Sequence, residues 1–319
     1  MTEIRLGSGG EFDRVRAIAA ALGGAIGAVG DDTAVIPEGD GALVVSVDAS
    51  VEDVHFRRGW ISLEEVGWRA TASALSDLAA AAAVPVGVVA AVVVRRNAEP
   101  DAIVEVMRGV GAAAASVGAR VLGGDLTSGE QWAVVVTVFG RALRRMSRAG
   151  ASAGDGVWVT GVIGGARAAL QAWTTSMDPD DDARRVFAHP VPRIAAAQWL
   201  AARGATAMMD LSDGLGGDAE HLAAASGVAL QIELEKLPLH PSVAAAARHL
   251  GEEPELFAAR AGEDYELLVT LPGDFGRAAA FVAETGLPLM RIGTVVTGAG
   301  VRATLGGVNQ SVHGFRHAV

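Results

Sequence analysis

Carboxylates recur in this chain beside glycine or serine, at the edges of apolar runs. Six segments show the pattern: "VGDDTAVI", "VVSVDAS", "SALSDLAA", "VLGGDLT", "MMDLSDG" and "AGEDYELLV", which contain Asp31, Asp32, Asp48, Asp77, Asp125, Asp210, Asp213, Glu263 and Asp264. An ionised carboxylate near a core is costly unless it is paired or binds a metal, and these segments contain no Lys or Arg. Clustered carboxylates are the ligands that Mg²⁺ prefers, and Mg²⁺ bridges to substrate phosphates. The set therefore favours a site for several magnesium ions.

Each acid also has a structural interpretation. Gly-Asp-Asp at 30–32 is ordinary turn chemistry, Asp48 could end a strand in an Asx-turn, and Asp125 could lie in a turn after two glycines. Asp77 is harder to explain in this way, because aspartate is a poor helix-interior residue. Ser212 or Asp213 could cap a helix, and Asp218 is expected to stabilise that helix through its dipole.

Composition limits the partners and the phosphate chemistry. Net charge is −11 over 319 residues, which argues against nucleic acid as a partner, and there are no cysteines for disulfides, thiolate metal sites or thiol nucleophiles. The single lysine, Lys236, does not follow a P-loop glycine pattern. Bound phosphates would therefore be neutralised by metals, arginines and backbone N–H groups.

An uncharged run at 78–94 is interrupted by Pro85 and Gly87, so it predicts a helix ending near Ala83 and a buried strand at 86–94 rather than a membrane span. The N-terminus carries acids and lacks a signal-peptide core. We therefore expect no membrane partner and a cytoplasmic location.

Apolar runs predict strands at 34–37, 41–50, 86–94 and 131–143, separated by helical stretches. Further strands are predicted at 229–234, 265–271 and 289–296, with a helix near 193–203. This alternation is typical of mixed α and β structure. A polar, basic, small-residue stretch near 144–156 predicts a boundary between two domains, 1–145 and 146–319.

Nine motifs in order resemble the thiamine-monophosphate kinase family: "GEF", "VGDDTAVI", "SVDASVEDVHF", "ALSDLAA", "LGGDLTSG", "GRALRR…GASAGDGVWVTG", "HPVPR", "DLSDGLGGD" and "GEDYEL". The resemblance runs from Gly10 to about Phe315. That family belongs to a superfamily with aminoimidazole-ribonucleotide synthetase, selenophosphate synthetase and a hydrogenase-maturation dehydratase. The resemblance implies an aminoimidazole-ribonucleotide synthetase-like fold: an N-terminal α/β domain that binds ATP and metals and whose sheet forms a homodimer, followed by a C-terminal α+β domain.

The resemblance also implies ATP-dependent phosphorylation of thiamine monophosphate to thiamine diphosphate. The transfer would be direct and in line, with several Mg²⁺ ions, ATP as co-substrate and no catalytic side chain. The implied metal ligands are Asp31, Asp32, Ser46, Val47, Asp48, Asp77, Asp125, Asp210 and Asp213. ATP contacts would come from Gly124, Asp125, Arg148 and Ser212, and substrate contacts from His55, Glu263 and Phe315, the last by stacking.

Three positions depart from the family pattern. Val47 replaces a threonine, so it can offer a metal only its backbone carbonyl, while Leu126 and Ala261 replace a threonine and a glycine. On residues alone, His55 could be a structural histidine and Arg148 a solvated linker residue.

Two alternative functions stay open. Aminoimidazole-ribonucleotide synthetase would use the same metal and ATP site for a cyclisation, and a non-catalytic nucleotide-binding protein would bind without turnover. The lack of cysteine argues against the selenophosphate and hydrogenase-maturation branches.

Overall fold

The first half of the chain forms a five-stranded sheet in the computed structural model, which describes residues 15–16, 31–38 and 41–314. Its strands are β1 (Ala34–Glu38), β2 (Gly41–Val51), β3 (Val84–Arg95), β4 (Arg120–Gly129) and β5 (Ala133–Ala142), in the order β1-β2-β5-β3-β4. β3 and β4 pair in parallel, and the other neighbours pair antiparallel. The sequence predicts four of these strands but not β4, where glycines interrupt the apolar pattern.

Two helices, α1 (Leu63–Ala80) and α2 (Ala102–Ser116), pack against each other and against this sheet. A capping box starts α1: the Glu65 N–H donates to Ser62 Oγ at 3.2 Å, and the Ser62 N–H donates to Glu65 Oε2 at 2.7 Å. The helices approach closely at Gly67, where a Cβ would lie 1.9 Å from the Val106 carbonyl oxygen. This packing fixes α1, which carries Asp77, over the sheet.

Several large apolar side chains on the same sheet are exposed: Val35, Ile36, Val47, Val84, Val86, Val121, Leu122 and Leu126. β4 is exposed over nearly its whole length and lies at the sheet edge. Clustered exposed apolar side chains are typical of an interaction surface.

The second half contains a seven-stranded sheet in the order β12-β11-β8-β10-β6-β9-β7. Its strands are β6 (Gly156–Thr160), β7 (Ala207–Asp210), β8 (Ala229–Glu233), β9 (Leu267–Leu271), β10 (Leu289–Val296), β11 (Gly300–Leu305) and β12 (Val308–Gln310). The helices are α3 (Gly165–Thr174), α4 (Asp181–Ala188), α5 (Ile194–Ala202), α6 (Leu215–Ser226), α7 (Val243–Leu250), α8 (Pro254–Ala259) and α9 (Ala278–Thr285). The prediction of mixed α and β structure is confirmed, and the described strands form two sheets.

The two halves meet at α1, which contacts α4, α5 and β7 of the second half. The start of β7 is buried beside β9, and its last residue, Asp210, faces α1 across this junction. Within the described residues, no helix is long and apolar enough to cross a membrane. The uncharged run at 78–94 instead divides into the end of α1, a turn and β3.

Candidate active site

Three carboxylates from distant segments meet at the junction of the two halves. Asp32 precedes β1, Asp77 lies near the end of α1, and Asp210 is the last residue of β7. One oxygen from each lies within 4.8 Å of the others. The Ser46 hydroxyl on β2 donates to Asp77 Oδ2 at 2.5 Å, so a fourth side-chain oxygen borders the cluster.

The environment of the cluster disfavours three negative charges. Burial raises the pKa of Asp210 to about 7, and the charge of Asp32 adds to the effect. Burial also raises the pKa of Asp77 well above its usual range, with further contributions from Asp210, Asp32 and Asp48. A divalent cation among these oxygens would remove the repulsion, so the donor set fits Mg²⁺.

Asp48 belongs to the same electrostatic unit, since its charge raises the pKa of both Asp77 and Asp210. It lies within β2 rather than at its end, so the Asx-turn interpretation is wrong. Side chains alternate along a strand, which places Ser46 and Asp48 on one face and Val47 on the other. The Val47 side chain is 62% exposed.

Cationic partners for Asp31 and Asp32 come from the segment after β5. Arg145 pairs with Asp31, and Arg148 donates to Asp32 Oδ1 from Nη2 at 2.6 Å and from Nε at 3.2 Å. The acids lack basic residues in their own segments, but the fold supplies two. The interpretation of Arg148 as a solvated linker residue is wrong, because its side chain is only 15% exposed and faces the cluster.

Gly124 and Asp125 stand apart from the cluster within one chain. They lie inside β4 and not in a turn, with Asp125 paired to Ala91 of β3. Asp48 lies three strand spacings away, about 14 Å at 4.8 Å per strand. At Gly124, a Cβ would lie 2.0 Å from the Ala90 carbonyl oxygen, so the close pairing of β4 with β3 requires glycine there.

The loop after β7 brings Ser212 and Asp213 to the same cavity as the cluster. The N-cap of α6 is Gly214, so neither Ser212 nor Asp213 is the N-cap residue that the capping interpretation required. Asp218 lies in the first turn of α6, as expected for a helix-dipole role, but it is 1% exposed. Burial raises the pKa of Asp218 well above its usual range.

A single cavity of about 550 Å³ joins two chemically different parts. One part is acidic and contains Asp48, Asp77, Asp210 and Asp213. The other part is aromatic and basic and contains His55, Arg57, Trp60, Arg167, Phe187, Arg260 and Glu263. Trp60 stacks on Trp173 at 5.2 Å, and Phe187 packs edge-on against both rings.

His55 and Glu263 both line this cavity. Nδ1 of His55 accepts a hydrogen bond from the Val51 N–H at 3.1 Å, which fixes the ring at the end of β2. Glu263 pairs with the buried Arg69 of α1. Phe315, the third predicted substrate residue, lies outside the described residues.

The "AGEDYEL" loop is anchored by each of its acids. Glu263 reaches Arg69, and Asp264 Oδ1 accepts the Gly164 N–H at 2.8 Å. Glu266 accepts hydrogen bonds from Arg193 and from the Thr160 hydroxyl, the latter at 2.7 Å. Arg193 ends the "HPVPR" motif, so two of the motifs meet here. These contacts hold the loop in place as one wall of the cavity.

Sequence analysis missed Arg69 and Arg145 as site residues. Arg69 is 3% exposed in an alanine-rich helix, eight residues before Asp77. A lone arginine on the same helix as a predicted ligand was the signal that could have identified it, because buried arginines require partners. Arg145 sits in a basic stretch and carries no comparable signal.

Comparisons with known proteins identify two matching family models and similar curated proteins. The model for AIR synthase related protein, N-terminal domain, matches residues 30–142, and the one for the C-terminal domain matches 152–306. Thiamine-monophosphate kinase of Mycobacterium tuberculosis is 36% identical over 76% of this chain and 74% of its own length. The Aquifex aeolicus enzyme is 32% identical over 93% and 95%.

Solved structures agree with the sequence relatives. AaThiL complexed with AMPPCP and TMP is 31% identical, covers 97% of both chains and has a TM-score of 0.86. The crystal structure of thiamine monophosphate kinase from Aquifex aeolicus covers 94% of this chain and 97% of its own, with a TM-score of 0.83. The family resemblance and the two-domain fold predicted from the motifs are confirmed. The chain belongs to the thiamine-monophosphate kinase family, within the AIR synthase related proteins.

Proposed function

We propose that this protein transfers the γ-phosphoryl group of ATP to the phosphate of thiamine monophosphate, giving ADP and thiamine diphosphate. The observation that carries the proposal is the cavity that joins a carboxylate cluster to an aromatic, basic wall. A metal-bound triphosphate suits the first part, and planar organic rings suit the second. A structural relative over 97% of the chain is complexed with AMPPCP and TMP, which supports the same pair of ligands.

We assign the main magnesium ligands to the cluster and the two residues beside it: Asp32, Ser46, Asp48, Asp77 and Asp210. Asp31 and Asp213 border this group, and Val47 would contribute only its backbone carbonyl. Bound Mg²⁺ would neutralise phosphate charge and stabilise charge that develops during transfer. The raised pKa values of Asp77 and Asp210 support this assignment, because the Arg148 guanidinium paired with Asp32 does not offset their burial and a bound cation would favour their ionised forms.

The reaction does not need a protein base. The acceptor is a phosphate oxygen, which is largely ionised at neutral pH because the second phosphate pKa is about 6. A new bond forms between that oxygen and the γ-phosphorus, the bond from the γ-phosphorus to the bridging oxygen breaks, and ADP leaves with the electron pair. The chain must then hold donor and acceptor in line and exclude water.

Two residues of the acidic part would bind the nucleotide. Arg148 lies against Asp32 with its guanidinium at the cavity, where it can meet a phosphate oxygen with two parallel donors. Ser212 lines the same cavity next to Asp213. Gly124 and Asp125 would complete the ATP site from β4.

The aromatic part would receive the thiamine rings. Trp60 and Phe187 line this part of the cavity, with Trp173 stacked on Trp60 and the Arg57 guanidinium 4.9 Å from the Trp60 ring centre, so Trp60 would offer the substrate its ring edge. Glu263 and His55 are proposed to contact the same substrate, with Phe315 stacking on one of its aromatic ring systems.

Acceptor selectivity tests the proposed reaction against its alternatives. ADP release is measured with Mg²⁺-ATP and one acceptor at a time: thiamine monophosphate, thiamine, or the formylglycinamidine ribonucleotide used by aminoimidazole-ribonucleotide synthetase. We expect release only with thiamine monophosphate. Release with the ribonucleotide would assign the cyclisation instead, and nucleotide binding without release would indicate a non-catalytic protein.

We further propose a homodimer formed through the N-terminal sheet. The exposed apolar side chains on β1 to β4 support it, as does the distance of Asp125 from the cluster of its own chain. A second copy packed on this sheet would cover those side chains and give Asp125 of each chain access to the other chain's site. A cytoplasmic location also stays a prediction, with which the cysteine-free composition is consistent.

Leu122→Glu is expected to weaken this dimer, because Leu122 is 58% exposed on β4 and a charge there would be desolvated at the interface. Dimer dissociation should become easier by at least about tenfold, or about 1.4 kcal/mol. Analytical ultracentrifugation measures the change, and phosphoryl transfer should fall in parallel.

Val282→Glu is the matched control, since Val282 is 44% exposed on α9 in the other half of the chain. It should leave assembly and activity unchanged. A Leu122→Glu variant that stays dimeric and fully active would contradict the proposed interface.

A further inference from the structure

Arg69 is almost fully buried and makes three contacts. The residue is 3% exposed on α1, its Nη1 donates to the Phe187 carbonyl oxygen at 2.7 Å, and its guanidinium carbon lies 3.9 Å from the Phe187 ring centre. Its Nη2 donates to Glu263 Oε1. The donors of an arginine form a rigid planar fork. The two contacts with Phe187 fix the guanidinium, so they also fix the direction in which Nη2 donates to Glu263.

Glu263 is less constrained by its own surroundings. Its side chain is 28% exposed and lines the cavity. Its backbone has φ +65°, and Tyr265 two residues later has φ +52°, both unusual for residues with a side chain. The Glu263 N–H donates to the Ser212 carbonyl oxygen at 2.7 Å, which ties this loop to the loop that carries Asp213. The strained backbone at Glu263 is therefore held by two contacts: the hydrogen bond of its N–H to Ser212 and the pairing of its side chain with Arg69.

The contact also joins the two halves of the chain. Arg69 lies on the same helix as Asp77, eight residues before it, whereas Glu263 and Phe187 belong to the second half. Through one side chain, the helix that carries a cluster carboxylate sets the position of a carboxylate in the aromatic part. Donor and acceptor must be aligned across these two parts for in-line transfer.

We propose that Arg69 is a positioning residue: it holds the Glu263 carboxylate in the orientation that binds the thiamine end of the substrate. This inference rests on the proposed function. The Arg69 donors contact Phe187 and Glu263 of the aromatic part, so Arg69 governs acceptor affinity more than ATP affinity. Removing it leaves Glu263 without its buried partner and free to take other rotamers.

Arg69→Met tests the proposal, since it keeps length and apolar volume but removes the charge and the donors. The KM for thiamine monophosphate is expected to rise about tenfold or more, in line with losing one partner of a buried charge pair. The KM for ATP should change by less than about twofold, the ratio expected when no nucleotide contact is lost. Arg69→Lys keeps the charge without the fork and should give an intermediate KM for the acceptor.

Arg184→Met is the matched control, because Arg184 forms a bidentate pair with Glu65 of the same helix, also across the two halves, but away from the cavity. It should leave both KM values unchanged. A double-mutant cycle with Glu263→Gln adds a second readout. The KM for thiamine monophosphate of the Arg69→Met/Glu263→Gln protein should be no higher than that of the more impaired single variant, because the two residues act as one unit.

A wild-type acceptor KM in Arg69→Met, equal effects in Arg69→Met and Arg184→Met, or additive effects in the cycle would each overturn the proposal. Melting temperatures of all variants show whether they fold. If Arg69→Met does not fold, Arg69→Lys with Glu263→Gln decides in the same way. If the proposed function itself is wrong, the wild-type protein will not phosphorylate thiamine monophosphate, which is a result distinct from any change in the variants.

Discussion

Asp77→Asn is expected to abolish most phosphoryl transfer and, in the absence of Mg²⁺, to raise the melting temperature at neutral pH. The variant keeps an oxygen that can accept the Ser46 hydroxyl, so the local structure is preserved. It removes one of three carboxylates whose oxygens lie within 4.8 Å of one another. Because burial and the neighbouring acids raise the pKa of Asp77, its ionised form destabilises the metal-free protein.

We expect a fall in kcat of about 100-fold or more, the scale of losing one preorganised electrostatic group. Turnover and thermal unfolding with a chelator present are the two measurements. Asp182→Asn is the control, since Asp182 is 64% exposed and pairs with Arg185 on the surface. Near wild-type turnover in Asp77→Asn would show that the carboxylate is structural, and a lower melting temperature without metal would contradict the electrostatic argument.

Mg²⁺ is expected to stabilise the wild-type protein more at pH 8 than at pH 5.5. A carboxyl with a raised folded pKa contributes stability that is fully present below its unfolded value and is lost as the pH rises through its folded value. For Asp210 this window runs from 3.8 to about 7. The metal-free protein should therefore lose stability across that range, and Mg²⁺ should restore it where the carboxylates are ionised.

Thermal unfolding with and without Mg²⁺ at the two pH values measures this coupling. Mg²⁺ at 100 times its Kd would stabilise the protein by about 2.7 kcal/mol if it binds only the folded state. The Asp77→Asn variant should show a smaller shift at pH 8. Equal shifts at both pH values would mean that Mg²⁺ does not compete with protons at this cluster.

The sequence identified the acids of the candidate site because each interrupts an apolar run without a basic neighbour in its segment. Asp32, Asp77 and Asp210 come from three different segments, and the fold brings their oxygens together. Their strands and helices were also predictable, since β2, β3 and β5 are long apolar runs and α1 is long and alanine-rich. These are strong local signals.

Contacts between segments were not predictable in this way. Arg145 and Arg148 reach Asp31 and Asp32 across more than 110 residues of sequence, and Arg69 reaches Glu263 across 194. β4 was missed because two glycines and Asp125 disrupt its apolar pattern, although the pairing with β3 requires glycine at Gly124. In each case a tertiary contact decides the role of the residue.

Product analysis tests the central claim most directly. Purified protein is incubated with Mg²⁺, ATP and thiamine monophosphate, and thiamine phosphates and adenine nucleotides are separated by chromatography. We predict thiamine diphosphate and ADP in equal amounts, both absent when a chelator removes the metal. No thiamine diphosphate above a control without enzyme would contradict the account.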